Sequence, residues 1–202
     1  MISQYLDPKF IIETLGLVGI FTLVFAESGL FFGFFLPGDT LLFTAGLLSS
    51  QNILSLTPLL LGSIVAAILG DSIGYAFGKK IGPKLFIKEH SFFWNKDHIQ
   101  KSHKFFEQYG KKAIILARFM PIVRTFTPIL AGVGQMEYST FLRYNVIGGV
   151  LWVGGLLLGG YFFGSVIPNP DRYLFPVIVL ILILSTLPVL KEFFFNKRRS
   201  LE

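Results

Sequence analysis

Four ionisable residues lie inside or beside apolar stretches of this 202-residue chain. Glu27 separates two apolar stretches, and Asp39 follows a proline–glycine pair within the second of them. Arg118 and Arg124 stand six residues apart on either side of Pro121, in a later apolar stretch. Placing such a charge in hydrocarbon costs about 2.5–3.5 kcal/mol or more, so buried ionisable groups pair or line a cavity. We therefore expect the two acids and the two arginines to meet inside the protein.

The two acids suggest proton chemistry. Burial favours the neutral form of a carboxyl group, whereas a nearby cation favours the charged form. Glu27 and Asp39, held between these influences, are predicted to take up and release protons near neutral pH. The alternative interpretation places Glu27 at the membrane interface and makes Asp39 only a helix cap, a role that aspartate fills well.

The two arginines suggest a phosphate site. A guanidinium group keeps its charge and offers a planar fork of donors that suits phosphate oxygens. Backbone N–H groups freed by a helix break near Pro121 would add further donors. The alternative is that Arg118 and Arg124 pair with the acids in a purely structural ion network. The two interpretations are compatible, because a substrate phosphate can compete for the same arginines.

Composition indicates an all-α integral membrane protein. Hydrophobic residues make up 52% of the chain and charged residues 15%, whereas soluble domains carry about 25% charged residues. Four apolar runs reach or approach the roughly 20 residues that a spanning helix needs, at positions 10–26, 56–78, 141–166 and 174–190. The chain has no cysteine, which excludes disulfides and thiolate metal sites.

Two further apolar runs, at 29–48 and 113–133, carry proline and charge near their middle. Proline breaks the helical hydrogen-bond ladder, and broken backbone at membrane depth is tolerated only inside protein or beside a wet cavity. We predict that both runs are re-entrant hairpins, with an ordinary kinked span as the alternative. Each hairpin precedes one span, so residues 1–202 would form a single transmembrane domain of two inverted repeats with about four full spans.

A weak internal sequence repeat accompanies this arrangement. Phe35-Leu36-Pro37 begins one half and Phe119-Met120-Pro121 the other, with Ala45-Gly46 and Ala131-Gly132 following at similar distances.

Lysine and arginine predict the orientation of the spans. The segment 79–112 contains nine lysines against three acidic residues, and the tail adds Lys191, Lys197, Arg198 and Arg199. The basic loop and both termini should therefore be cytoplasmic. All three histidines lie in this loop at spacings that match no zinc site, so neither a metal nor a cofactor is predicted.

Gly70, Gly74 and Gly78 recur every four residues and share one helix face. Such a small face lets membrane helices approach closely, so helix packing is the expected role. Asp71 beside Gly70 is predicted either to line the cavity or to form a structural hydrogen bond. The same choice between cavity and packing applies to four more residues: Pro37, Gly38, Tyr75 and Pro121.

Three stretches together resemble the DedA family of bacterial membrane proteins, which is related to the VTT-domain lipid scramblases of eukaryotes. They are Glu27-Ser28-Gly29 leading to Pro37-Gly38-Asp39, then Gly70-Asp71 with Gly74-Tyr75 and Gly78, and then Arg118-Phe119-Met120-Pro121-Ile122-Val123-Arg124. The resemblance implies facing re-entrant hairpins in the bacterial cytoplasmic (inner) membrane. It also implies that the family's acidic pair falls on Glu27 and Asp39, and its arginine pair on Arg118 and Arg124.

The leading functional expectation is a lipid transporter linked to the proton-motive force. The resemblance implies that undecaprenyl phosphate or a phospholipid is moved between leaflets, so the expected partners are a membrane lipid and protons, and not nucleic acid. The alternatives are a proton-coupled carrier for a small soluble ion or metabolite, and a structural protein. An enzyme is not expected, because no serine elbow or zinc signature is present. Whether the working unit is a monomer or a homo-oligomer is left open.

Overall fold

The described part of the chain is entirely helical. A computed structural model describes residues 8–30, 36–85 and 112–167, together with the single residue Pro176. The helices in these ranges are α1 (Pro8–Gly29), α2 (Gly38–Ser50), α3 (Leu56–Leu85), α4 (Lys112–Ala117), α5 (Pro121–Val133) and α6 (Tyr138–Val166). No strand occurs in these ranges, in agreement with the predicted all-α class.

Two of the helices are long and apolar enough to cross a membrane. These segments are Leu56–Lys80 of α3, with 25 residues, and Tyr138–Val166, with 29. At about 1.5 Å per residue each exceeds a hydrocarbon core of about 30 Å. They coincide with the spans predicted at 56–78 and 141–166. The predicted span at 174–190 lies outside the described ranges.

Helix α3 also extends beyond its predicted end. It continues to Leu85, so its last turns occupy the start of the predicted basic loop at 79–112. The rest of that loop, including all three histidines, lies outside the described residues.

The first apolar run differs from its prediction. Gly16 has φ 57° and ψ −151°, which interrupts the helix near its start. The part from Gly16 to Gly29 is about 21 Å long, short of the thickness of the hydrocarbon core. Helix α1 continues past Ala26 and ends at Gly29, where the run predicted to form the first hairpin begins. The next helix, α2, begins at Gly38, at the proline–glycine break predicted within that run.

Helices α1 and α3 run in the same direction. The Phe21 ring packs on Gly62, and eight residues later in both helices Gly29 packs on Gly70. A β-carbon on Gly70 would lie 2.6 Å from the carbonyl oxygen of Phe25, so only glycine allows this approach.

Helices α2 and α6 also share one direction, since Asp39 contacts Trp152 and, further along, Ser50 lies beside Gly164. Helices α3 and α6 are antiparallel. Near one end the Tyr75 ring stacks on Phe141 of α6. Further back along α3, Ile68 accepts a hydrogen bond from Asn145. Helices α1 and α2 are therefore antiparallel.

The closest packing pairs a short helix from one half of the chain with a long helix from the other half. Helix α2 packs on α6, and α5 packs on α3. At both seams a β-carbon on glycine would overlap the carbonyl oxygen of the facing helix, at Gly46–Leu157 and Gly160–Phe43 in one seam and at Gly132–Tyr75 and Gly78–Ile129 in the other. The two copies of the Ala-Gly repeat, Ala45-Gly46 and Ala131-Gly132, thus lie at equivalent positions in the two seams. Each short helix that follows a break is fixed against the long helix of the other half.

This packing predicts a position-specific effect of alanine on α6. Gly160→Ala should lower stability by about 1–3 kcal/mol, the usual cost of overpacking, because the facing Phe43 carbonyl is backbone and cannot rotate away. The measurement is the midpoint of thermal unfolding in detergent micelles, followed by circular dichroism.

Gly155→Ala is the matched control for that measurement. It lies on the same helix, and nothing in the described structure lies within 4 Å of a β-carbon there. Equal midpoints for the two variants would contradict the close contact between α2 and α6.

Candidate functional site

The break between α1 and α2 positions both predicted acids. Glu27 lies in the last turn of α1, and Asp39 lies in the first turn of α2. The Glu27 side chain is 1% exposed, and its second carboxyl oxygen lies where a β-carbon of residue 38 would be, so Gly38 is required here. The carboxylate thereby reaches the N-terminus of α2, where unpaired backbone N–H groups carry partial positive charge.

Arg124 reaches this break from the other half of the chain. It lies in the first turn of α5. Its Nη1 donates a hydrogen bond of 2.6 Å to Asp39 Oδ1, and its Nη2 donates to Glu27 Oε1. Arg124 is buried, and the Asp39 side chain is 12% exposed. The structure therefore brings together three of the four predicted site residues, each at the edge of a helix break.

Arg118, the fourth predicted residue, has a different partner. It lies between α4 and α5, and its Nη2 donates to Asp71 Oδ2 and to Asn145 Oδ1. Asn145 in turn donates a 3.2 Å bond to the carbonyl of Ile68, which ties α6 to α3. All three side chains of this group are buried. Asp71 is thus an ion-pair partner, and Arg118 contacts neither Glu27 nor Asp39.

Trp152 on α6 joins the two ion-paired groups. Its indole N–H donates a 2.9 Å bond to Asp39 Oδ1. The Cζ atoms of Arg124 and Arg118 lie 4.7 Å and 5.9 Å from the centre of its ring, within cation–π range. We call the whole arrangement the charged cluster; its members are Glu27, Asp39, Asp71, Arg118, Arg124, Asn145 and Trp152.

The pattern of charges in the sequence does not reveal Trp152 or Asn145. Each of the two residues is nevertheless unusual for its place in an apolar run. Tryptophan in spanning helices is enriched at the membrane interfaces, whereas Trp152 stands in the middle of the run at 141–166. Asn145 is an amide within the same run, where unpaired polar groups are costly.

The charged cluster has more carboxyl groups than guanidinium groups. Among the described residues, Glu27, Asp39 and Asp71 form ion pairs only with Arg118 and Arg124, and Asp71 interacts electrostatically with both arginines. With every group ionised, one negative charge is uncompensated, and a single bound proton makes the cluster neutral. The Nε atoms of both arginines are buried and have no hydrogen-bond partner among the described residues. Each guanidinium group therefore keeps a donor to offer.

The remaining predicted residues of α3 pack helices together. Gly70 and Gly78 hold α3 against α1 and α5, and Gly74 lies 3.4 Å from Pro128, measured from an ideal β-carbon. The Tyr75 hydroxyl donates to the carbonyl of Met136. Of the two roles predicted for these residues, packing is the one that these contacts support.

Pro37 and Pro121 mark the ends of the two breaks. Pro37 is the N-cap residue of α2, and Pro121 is the first residue of α5. Proline fits such starts because its missing N–H is not needed there. Both helices thus begin beside the charged cluster.

Comparison with known proteins places this chain among related membrane proteins. The profile of the VTT domain matches residues 36–162. Protein DedA of Escherichia coli K12 is 45% identical over 183 residues, covering 90% of this chain and 83% of that protein. A membrane protein of Mycobacterium leprae is 44% identical over 191 residues, covering 92% and 85%. One of Mycobacterium bovis is 32% identical over 165 residues, covering 79% and 76%. No solved structure matches the chain.

The ion pair between Arg118 and Asp71 yields a prediction about stability. Arg118→Met should destabilise the fold by about 3–5 kcal/mol, because it leaves Asp71 buried without its cation. Adding Asp71→Leu should restore most of that loss, because the carboxylate left without its cation is then removed as well. The measurement is denaturant-induced unfolding in detergent micelles.

Arg143→Met is the control for this pair, because Arg143 is an exposed arginine on α6. It should leave stability near the wild-type value. A double variant no more stable than Arg118→Met would contradict the proposed pairing.

Proposed function

The chain belongs to the DedA family of membrane proteins with a VTT domain, and from that membership and the charged cluster we propose that it is a proton-linked lipid transporter. It moves a lipid phosphate, either undecaprenyl phosphate or a phospholipid, across the bacterial cytoplasmic membrane. The observation that carries the proposal is a pair of buried guanidinium groups whose Nε atoms have no hydrogen-bond partner in the described part of the chain, faced there by an excess of carboxyl groups.

Phosphate and the ionised carboxylates compete for the same arginine donors. With Glu27 and Asp39 ionised, the Nη donors of Arg124 are held by carboxylates. A protonated carboxyl group no longer neutralises the guanidinium, which then offers its planar fork to phosphate oxygens. Release of the phosphate lets the carboxylates bind Arg124 again. Proton uptake and lipid binding are thereby linked, while the hydrocarbon chain stays in the bilayer.

The packing of the helices supports two inverted units around this site. Helices α1 and α2 are antiparallel, and the unbroken part of α1 is too short to cross the hydrocarbon core. Each pair of helices separated by a break is followed by a long helix, and the two long helices are antiparallel. In transporters of this architecture, broken helices meet near the midplane and bind the substrate there. The two re-entrant hairpins and the cytoplasmic termini are part of this proposal.

Loss of either arginine should strongly reduce transport. Arg118→Gln and Arg124→Gln should each lower transport of a labelled polyprenyl phosphate in proteoliposomes by about 100-fold, the effect expected when a charge-assisted contact is removed. Arg143→Gln, at the exposed position on α6, is the control and should transport normally. Circular dichroism of each variant confirms that it has folded.

Unchanged rates in both arginine variants would refute the phosphate site. Uptake of a soluble anion by vesicles that contain no lipid phosphate would favour a proton-coupled carrier for small ions instead. Hydrolysis of the lipid phosphate by the purified protein would contradict a transporter.

The excess carboxyl group predicts which component of the proton-motive force drives the lipid. Because net charge is costly in the membrane interior, the phosphate should move together with enough protons to keep the charged cluster neutral. Nigericin, which collapses the pH gradient, should therefore reduce transport in proteoliposomes by about 10-fold or more. One pH unit is worth about 1.4 kcal/mol, a factor of about 10.

Valinomycin with equal potassium on both sides collapses only the electrical potential and should have little effect. The opposite pattern would mean that net charge crosses the membrane with the lipid.

A further inference from the structure

Trp152 contacts both ion-paired groups of the charged cluster and contributes no charge of its own. Its N–H binds Asp39, and its ring lies beside Arg124 and Arg118. We propose that Trp152 is a positioning residue that holds both arginines and Asp39 in place while the ion pairs exchange for phosphate. This inference rests on the proposed function and concerns one residue on α6.

The two kinds of contact use different parts of the indole. The N–H is a donor only, and a buried one needs an acceptor. An Asp39 oxygen accepts it at 2.9 Å. The carboxyl group therefore keeps one partner when Arg124 turns to phosphate. Without the indole N–H, Asp39 would lose its hydrogen-bond donor and its cation together when Arg124 turns to phosphate.

The ring face supports the arginines without occupying their donors. A cation–π contact uses the face of a guanidinium group, whereas phosphate binds the N–H groups at its edge. Arg124, with Cζ 4.7 Å from the ring centre, can therefore keep its aromatic contact while its edge changes partner. A carboxylate in the place of Trp152 would compete with phosphate, and an aliphatic side chain would leave the freed cation without compensation.

A purely structural role predicts different behaviour. Trp152 also belongs to the hydrophobic core formed with Leu41, Val153 and Leu157. If it served only to fill that core, the loss of its ring would affect stability and expression but not the response of transport to pH. The two roles are therefore separated by pH profiles and by a spectroscopic signal from the indole itself.

The first test compares pH profiles of transport in proteoliposomes. Trp152→Phe keeps an aromatic face but lacks the N–H, so Asp39 loses a donor. The pH profile of this variant should differ from that of the wild type, because the charged cluster has lost one of its hydrogen bonds. The groups that contribute to this profile are Asp39, Arg118 and Arg124, which contact Trp152, and Glu27 and Asp71, which pair with those arginines.

Trp152→Leu removes both contacts and should in addition raise the KM for the polyprenyl phosphate at least about 10-fold, the loss expected for a desolvated cation–π contact. Phe141→Leu is the matched control. It removes another fully buried aromatic ring from α6, one that stacks on Tyr75 rather than on an arginine. Its pH profile should coincide with that of the wild type. Wild-type profiles for both Trp152 variants would overturn the proposal.

The second test uses the fluorescence of the indole. The chain has only two tryptophans, Trp94 and Trp152, so Trp94→Phe leaves Trp152 as the sole reporter. In detergent micelles its emission should change saturably with an added polyprenyl phosphate and stay constant with the corresponding polyprenol. The response should disappear in Trp94→Phe/Arg124→Gln.

These outcomes separate the inference from the proposed function. If the wild type moves no lipid phosphate, the proposed function fails, and this inference fails with it. If Trp94→Phe transports at the wild-type rate but its emission ignores the phosphate, only the role of Trp152 is refuted.

Discussion

The structure depends on the pairing of buried charges inside an otherwise apolar protein. A carboxylate or guanidinium group removed from water is tolerated only beside an opposite charge with well-placed hydrogen bonds. Glu27, Asp39 and Arg124 satisfy that requirement at the meeting of two helix breaks, and Asp71 with Arg118 satisfies it one step away. The breaks bring together side chains that lie at helix ends. Continuous spans would keep those side chains at separate depths.

Close helix packing makes this meeting possible. Glycines at the seams between α2 and α6, and between α5 and α3, allow backbone to approach backbone. The short helix after each break is thereby fixed on the long helix of the other half. Arg124 at the start of α5 lies beside Asp39 at the start of α2 because α5 is fixed on α3 and α2 is fixed on α6. The glycines thus position the charged residues indirectly, because the packing they allow fixes where each short helix begins.

The charged cluster combines firm pairing with an incomplete charge balance. Within the described residues, three carboxyl groups stand against two guanidinium groups, and the Nε atoms of both arginines have no hydrogen-bond partner. A fully balanced ion network would be a structural element and nothing more. Trp152 touches both halves of the cluster through contacts that do not consume the donors an anion needs. The proposed proton-linked transport depends on this combination of fixed contacts and exchangeable ion pairs.

The sequence alone determined the class of the protein and the chemical types at its centre. Apolar content indicated a membrane protein, and the cost of burying charge singled out Glu27, Asp39, Arg118 and Arg124 before any helix was placed. Proline and glycine located the starts of α2 and α5 correctly, because they act on the local backbone. Sequence could not assign Arg118 to Asp71, or find Trp152 and Asn145 beside the arginines, because those contacts depend on how helices far apart in the chain cross. It also did not predict the interruption at Gly16, because a single glycine within an apolar run does not by itself mark a break. Chemical type is a local property of the chain, whereas the choice of partner follows from the direction and register of packed helices, and only the tertiary structure decided it.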